Sequence, residues 1–353
     1  FIINNNNNNK QRKNMNNFKK IGMTALAASL VSTSVFAGEM AVTGSASMAM
    51  EGHSKGSELN EGTSFSMGNQ LTFTGGGELD NGLTVSLSFV LDQGDDVASG
   101  EVVASARGPF DGHSVSISSD ALGTLAVHGE GGSSAASALD TTAAGDMWDN
   151  FNSNGGVSVS DSGPGDNSIF YTLPSLVDGL SVSASYNPQI ASGALATTAG
   201  NETELGYSAT YTGIEGLSLS YGKTDLERVG TKADGSSNVR KGDQTAWRAS
   251  YAYGPVTVAA TNSDYDIAGT ASDQETSSYK ISYTVSDAIS IGYGTEEISK
   301  VGSVDAEFDG FSASYTAGGM TISANMQDGK NIAHATGAAG QVEYWGLGLS
   351  FAF

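Results

Sequence analysis

The chain has no cysteine, so neither a disulfide framework nor a thiolate metal site is available to it. Past residue 37 it has no apolar run of 18 residues, and therefore no candidate transmembrane helix. If such a chain enters a membrane, only a closed barrel can put it there. Basic residues are scarce, 16 Lys and Arg against 38 Asp and Glu. That balance argues against nucleic acid and anionic lipid as partners. Catalytic constellations are missing as well. The four histidines, His53, His113, His128 and His334, have no spaced acid and nucleophile that would suggest a Ser-His-Asp set. No Walker or dinucleotide-binding glycine pattern occurs, and the 47 glycines belong to turns and to the polar phase of strands. The residues therefore call for neither an enzyme nor a cofactor.

The first residues also lack an initiator methionine. "FIINNNNNNKQRKN" reads as upstream DNA translated in frame, with the start at Met15. Lys19 and Lys20 then supply a positive n-region, and Ile21 to Val31 an apolar h-region of 11 residues. "STSVFA" places Val35 and Ala37 at the two small-residue positions of a cleavage site, so the mature chain is expected to begin at Gly38. The expected organisation is a translated upstream segment (1–14), a signal peptide (15–37) and one barrel domain (38–353). Removal of residues 1–37 takes five basic residues and no acids, leaving 11 against 38 and a net charge near −27.

What is present is period-2 alternation. In "LTVSLSFVL" (83–91), "LSVSASYN" (180–187), "ISIGYG" (289–294) and "MTISANMQ" (320–327), one phase is apolar throughout. In the other phase, mostly Ser, Thr, Gly and Asn, only Val90 is apolar. Strands are expected at about 39–50, 64–75, 83–92, 113–119, 124–130, 167–173, 180–187, 204–212, 217–223, 244–253, 256–263, 276–285, 289–296, 305–316, 320–327 and 341–353. Short turns such as "ELDNG", "DALG" and "SLVDG" alternate with long polar loops, the longest at 131–166. Sixteen strands is an even count, and the segregation of loop lengths is that of an outer-membrane barrel rather than a sandwich.

Two further features favour the barrel. Aromatic residues of the apolar phase cluster near strand ends, at Tyr171, Tyr186, Tyr211, Tyr221, Tyr253, Tyr315 and Phe353, as an interfacial girdle requires. Arg248 and Lys280 fall in the polar phase, avoiding about 2–4 kcal/mol for a cation at mid-depth on the lipid face. In 305–316 the phase is disturbed by Asp305, Glu307 and Asp309. A bulge at Asp309–Gly310 that turns both Phe308 and Phe311 outward would restore it.

On "GELDNGLTVSLSF" (77–89), "SDALGTLAVHGE" (119–130), "DNSIFYTLPSLVDGLSVSASY" (166–186) and the terminal "GLGLSFAF" (346–353), the mature chain resembles the Gram-negative general porins of the alphaproteobacterial type. The resemblance implies an all-β fold, a 16-stranded antiparallel transmembrane β-barrel with short periplasmic turns and long extracellular loops. It implies a homotrimer, with early strands at the subunit interface. Strand 1 presents Met40, Val42, Gly44, Ala46, Met48 and Met50 on its outward face. It also implies that Phe353, Phe351 and Leu349 form a C-terminal signal read by the outer-membrane assembly machinery.

By order and length, 131–166 corresponds to the family's third loop, which bends into the barrel as its constriction. It carries Asp140, Asp146, Asp149, Asp161 and Asp166, and no Lys or Arg occurs from 108 to 222. Carboxylates in a narrow watery passage attract cations. Met147, Trp148 and Phe151 are expected to anchor the loop to the wall. "DMWDNFNSN" offers Asp and Asn oxygens, but its spacing matches no defined calcium cage. Family constrictions set a basic cluster opposite the loop; here only Arg107, Arg248 and Lys280 are candidates. The leading expectation is a passive, weakly cation-preferring channel in the outer-membrane lipids for ions and small hydrophilic solutes. An adhesive structural barrel and a substrate-specific channel are the alternatives.

Overall fold

The computed structural model describes residues 39–55, 62–92, 110–154, 157, 159–162, 167–188, 203–231, 237–267 and 273–353. The expected leader with its Ala37–Gly38 cleavage site, Arg107 and Asp166 lie outside the described residues.

Alternation of apolar and small polar residues gives each segment one face for lipid and one for water, and sixteen such segments close on themselves. They are β1 (Glu39–Ser54), β2 (Gly62–Glu78), β3 (Thr84–Asp92), β4 (Phe110–Ser119), β5 (Gly123–Glu130), β6 (Ser168–Thr172), β7 (Leu180–Asn187), β8 (Glu204–Tyr211), β9 (Leu217–Thr231), β10 (Ser237–Tyr253), β11 (Val256–Ile267), β12 (Gln274–Ser286), β13 (Ile289–Lys300), β14 (Ala306–Ala317), β15 (Met320–Lys330) and β16 (Val342–Ala352). Every strand pairs antiparallel with its chain neighbours, and β1 pairs with β16 from Ser45↔Ala352 to Ser54↔Glu343, leaving no edge. The final residue completes the seam. The Gly44 amide donates to the Phe353 carbonyl at 2.7 Å, and the Phe353 amide returns the bond at 3.0 Å.

The strands reach further toward the long-loop rim than alternation alone indicated. β9 and β10 run to 15 and 17 residues. β1 extends through His53, which the sequence had placed in a loop. At the short-turn rim glycine carries the reversal. Gly216, for example, has φ +77°, and a side chain there would strike the Ala252 carbonyl.

The outer face shows two aromatic levels. Tyr221, Trp247, Tyr279, Tyr293, Phe311 and Trp345 are exposed or half-buried toward the long-loop side, and Tyr253, Tyr283, Tyr315 and Phe353 toward the turns. β14 contradicts the expected bulge. Its register with β13 and β15 is continuous from Ala306 to Ala317. Phe311 faces out at 68% exposure, whereas Phe308 is buried inside at 2%. The reason is that the inner end of β14 meets protein and not water, so an apolar residue in the inward phase needs no flip.

Candidate functional site

The inward phase of the strands is built of Ser, Thr and Gly near the turns, and of longer polar groups toward the other rim. Those longer groups receive the segment 131–162. Ser134–Ala136 starts against β7 and β9: the Ala135 amide donates to Ser185 Oγ at 2.8 Å and the Ala136 amide to Thr224 Oγ1 at 3.1 Å. The chain then passes a 3-10 turn, Ser137–Leu139. Next come β11 and β12, where the Ala143 amide donates to Thr261 Oγ1 at 2.9 Å and the Ala144 amide to Ser278 Oγ at 3.0 Å. On β13 the Glu296 carboxylate accepts three bonds, from Thr142 Oγ1 at 2.8 Å, the Met147 amide at 3.1 Å and the Trp148 amide at 3.3 Å. On β15 Gln327 Oε1 accepts from Asn150 Nδ2 at 2.8 Å. On β1 His53 Nε2 donates to the Asn150 carbonyl at 2.8 Å.

The turn of the loop is a second 3-10 element, Met147–Asn154. From it Phe151, fully buried, enters a box of Phe308 (5.1 Å between ring centres), Tyr344 (6.1 Å) and His53 (6.3 Å). Met147, Val157, Ile298, Ala306, Ile332 and Val342 complete this apolar cluster, with Trp148 packed on its side. The returning chain is held by Gln274 Oε1, which accepts the Ser160 amide at 2.6 Å, and by Gln244 Oε1, which accepts the Ser162 amide at 2.6 Å. Ser134 and Ser162 share a hydroxyl–hydroxyl bond where the outgoing and returning arms meet. The anchoring expected of Met147, Trp148 and Phe151 is what the structure has.

The acidic residues divide. Asp140 and Asp146 are half-buried and Asp161 is exposed, while Asp149 is only 4% exposed, inside the second 3-10 element. Asp149 thus differs from its three companions in facing protein rather than water. Asp140 Oδ2 accepts from Gln244 Nε2 at 3.4 Å. Asp146, at φ +55°, folds back so that its Oδ1 accepts the Thr142 amide at 2.9 Å while its own amide donates to Thr142 Oγ1 at 2.7 Å.

The basic residues are not placed as a facing cluster. Arg248 on β10 and Lys280 on β12 sit within the arc that the loop itself follows, and both line the same cavity as Asp146. β2–β6, the wall outside that arc, contain no Lys or Arg. Among the described residues no group of three or more His, Asp or Glu side chains is arranged to hold a metal ion.

Sequence reasoning missed the receiving side of the site, Glu296, Gln244, Gln274 and Gln327, together with Thr261 and Ser278. A signal was present. Glu296, Gln244, Gln274 and Gln327 are long polar residues in an inward phase rich in Ser, Thr and Gly, and they stand on the same strands as, or on strands next to, inward apolar residues such as Phe308, Ile298 and Tyr344.

Comparison with known proteins agrees with this architecture. The model of the Gram-negative porin family matches residues 22–353. Among solved structures, the anion-selective porin from Comamonas acidovorans superposes with a TM-score of 0.64 at 15% identity, covering 90% of this chain and 100% of that one. A multi-site mutant of the Rhodobacter blastica porin gives 0.60 at 20% identity, covering 89% and 100%. None of the curated protein sequences matches. A lumen-lined closed barrel of sixteen strands, with a family match over nearly its whole length, makes this chain a member of the Gram-negative porin family, a channel of the outer membrane.

Proposed function

We propose that the loop 131–166 is the constriction of a water-filled, weakly cation-preferring channel through which ions and small hydrophilic solutes diffuse passively. The observation that carries this reading is the sewn-in course of the loop, which holds Asp140 and Asp146 on the inner side of the barrel. Asp161 is the exposed acid of the returning arm. Fixed carboxylates in a narrow aqueous path favour cations. Arg248 and Lys280 moderate that preference, and no basic residue of β2–β6 opposes the loop. Fold alone does not set the sign, since the Comamonas relative with the same barrel is anion-selective. The difference must lie in the charges.

The same reading includes export by a leader at 15–37, cleaved between Ala37 and Gly38, and the upstream segment 1–14 as no part of the mature protein. Phe353, Phe351 and Leu349 serve as the signal for the outer-membrane assembly machinery. All three share the outward phase of the closing strand, whose edge is taken by β1 when the barrel closes. Three barrels associate through the early strands, where exposed Met40, Val42 and Met48 form a pliable outer surface.

The test is planar-bilayer recording of the purified mature protein under a KCl gradient. A reversal potential on the cation side, reduced in Asp140→Asn/Asp146→Asn/Asp161→Asn, is expected, with conductance steps in groups of three. An anion-side potential would mean that Arg248 and Lys280 outweigh the loop. A silent barrel would transfer the function to its surface loops.

A further inference from the structure

The outer face of the barrel is not an even surface. Across β12–β15, between the two aromatic levels, it has an apolar dent of about 470 Å³. Two alanines that stand opposite each other in register, Ala313 on β14 and Ala324 on β15, form its floor. Tyr283 and Ile291 bound it on one side, and Tyr293, Phe311 and Met326 stand above it toward the long-loop rim. The rings of Tyr293 and Phe311 lean on each other, with centres 4.9 Å apart. Phe311 and Met326 keep 68% and 70% of their surface exposed, so they project from the wall and do not fold over the alanines. A hydrocarbon chain lying in the dent has protein beneath it and along its sides, where a flat wall would touch it on one side only.

Above the upper aromatics the same strands carry acids. Thr295, Asp309, Asp328 and Glu343 pair in one row across β13–β16. Each stands two residues nearer the long-loop rim than Tyr293, Phe311, Met326 and Trp345 in turn. Lys55 pairs with Glu343, and Lys330 with Glu307. Asp309 accepts the Tyr293 hydroxyl at 3.0 Å, but among the described residues no cation forms an ion pair with Asp309 or Asp328. From the alanines to these two carboxylates is four residues along each strand, about 13 Å at the ordinary rise. The geometry points to a lipid site, with one acyl chain in the dent and an ammonium headgroup on Asp309 and Asp328. The carboxylates decide the class of lipid. An anionic head would meet like charge, whereas an ammonium brings three donors and the countercharge that the row lacks. A divalent ion bridging to a phosphate needs converging acids. These stand in a line instead, and among the described residues no three are arranged to hold a metal. The site faces the bilayer outside the early strands, and it requires neither the conductance nor the selectivity proposed above.

Trp345, in register with Met326, is the reporter. Lipids brominated on the acyl chain quench an indole that they touch. Trp247→Phe leaves Trp345 as the lipid-facing indole, with Trp148 inside the barrel as a constant background. The probes are brominated phosphatidylethanolamine, phosphatidylcholine and phosphatidylglycerol, each diluted into vesicles of plain phosphatidylcholine that hold this barrel. The ethanolamine lipid is expected to occupy the site about two- to fivefold more tightly than the other two, the size that exposed ion pairs allow. Asp309→Asn/Asp328→Asn keeps an acceptor for Tyr293 and should erase the preference. Ala313→Leu/Ala324→Leu fills the dent and should lower quenching by all three lipids. Heat-modifiable gel mobility confirms that each variant is folded. Equal quenching by the three lipids, or a preference that survives the asparagine variant, would overturn the site. Undiminished quenching in the leucine variant would do the same, because the chain would then lie elsewhere. A preference for phosphatidylglycerol that appears only with Ca²⁺ would replace the ammonium by a metal bridge and overturn the proposal too.

Discussion

Glu296 is the residue on which the position of the loop turns. One carboxyl group gathers the Thr142 hydroxyl and the Met147 and Trp148 amides, and each such bond contributes about 0.5–1.5 kcal/mol. Glu296→Ala leaves three donors without their acceptor while the apolar cluster around Phe151 still holds the loop tip. The expected result is a folded barrel with larger, noisier single-channel conductance and faster passage of disaccharides in liposome swelling. Glu296→Gln, which keeps an acceptor oxygen, should lie much closer to the parent. If the alanine variant conducts as the parent does, the apolar anchor and the remaining wall bonds hold the loop without Glu296. Nothing in the sequence marks Asp149 as different from Asp140 or Asp146. Its burial follows from the winding of the 3-10 element, a local geometry that composition does not encode.

At the scale of elements, the strands and their phase were legible, because alternation is imposed by two solvents, lipid outside and water inside. The reading failed where a third surface intervenes. Ile298, Ala306, Phe308, Val342 and Tyr344 are apolar in the inward phase because the loop covers them, and a rule that assumes water inside turns such a residue into a bulge. Strand ends at β9 and β10 were short in the reading for a related reason. Beyond the membrane the outer face becomes charged, at Asp225, Glu227, Lys241 and Asp243, and apolar periodicity no longer reports pairing. The closing seam offers an element-level test. Gly44 leaves the space that the Phe353 ring fills on the outer face, and any Cβ there would run into the ring. Gly44→Leu should displace Phe353 and weaken the β1–β16 ladder. It would be read as loss of the compact, fast-migrating band on unheated gels at a lower temperature than for the parent. An unchanged transition would show that the ring has other places to go.

The molecule as a whole carries its acid unevenly. Above the upper aromatics, outward residues stand acid against acid across neighbouring strands: Asp225↔Asp243, Asp243↔Asp266, Asp264↔Glu275, Glu297↔Glu307, Asp309↔Asp328 and Asp328↔Glu343. Like charges directly opposite are destabilising. Lys223 relieves the first pair, at 2.9 Å from Asp243 and 3.5 Å from Asp225, and Lys330 reaches Glu307 at 3.7 Å. Repulsions outnumber these bridges, so screening should stabilise. Raising KCl from about 10 mM to 1 M, which shortens the screening length from about 30 to 3 Å, is expected to raise the thermal unfolding temperature. A fall would mean that the lysine bridges dominate. The course of the loop has a consequence of another kind, for the order of events in folding. Its tip touches His53 on the first strand and Tyr344 on the last, residues 291 positions apart, counted from 53 to 344. An open sheet with those strands apart keeps the β13–β16 wall of the berth but lacks its His53 side and the bond to the Asn150 carbonyl. The loop reaches its final seat only once the ring has closed, so the bore takes its finished width late in assembly, and a barrel still zipping up holds its loop less firmly than the finished one.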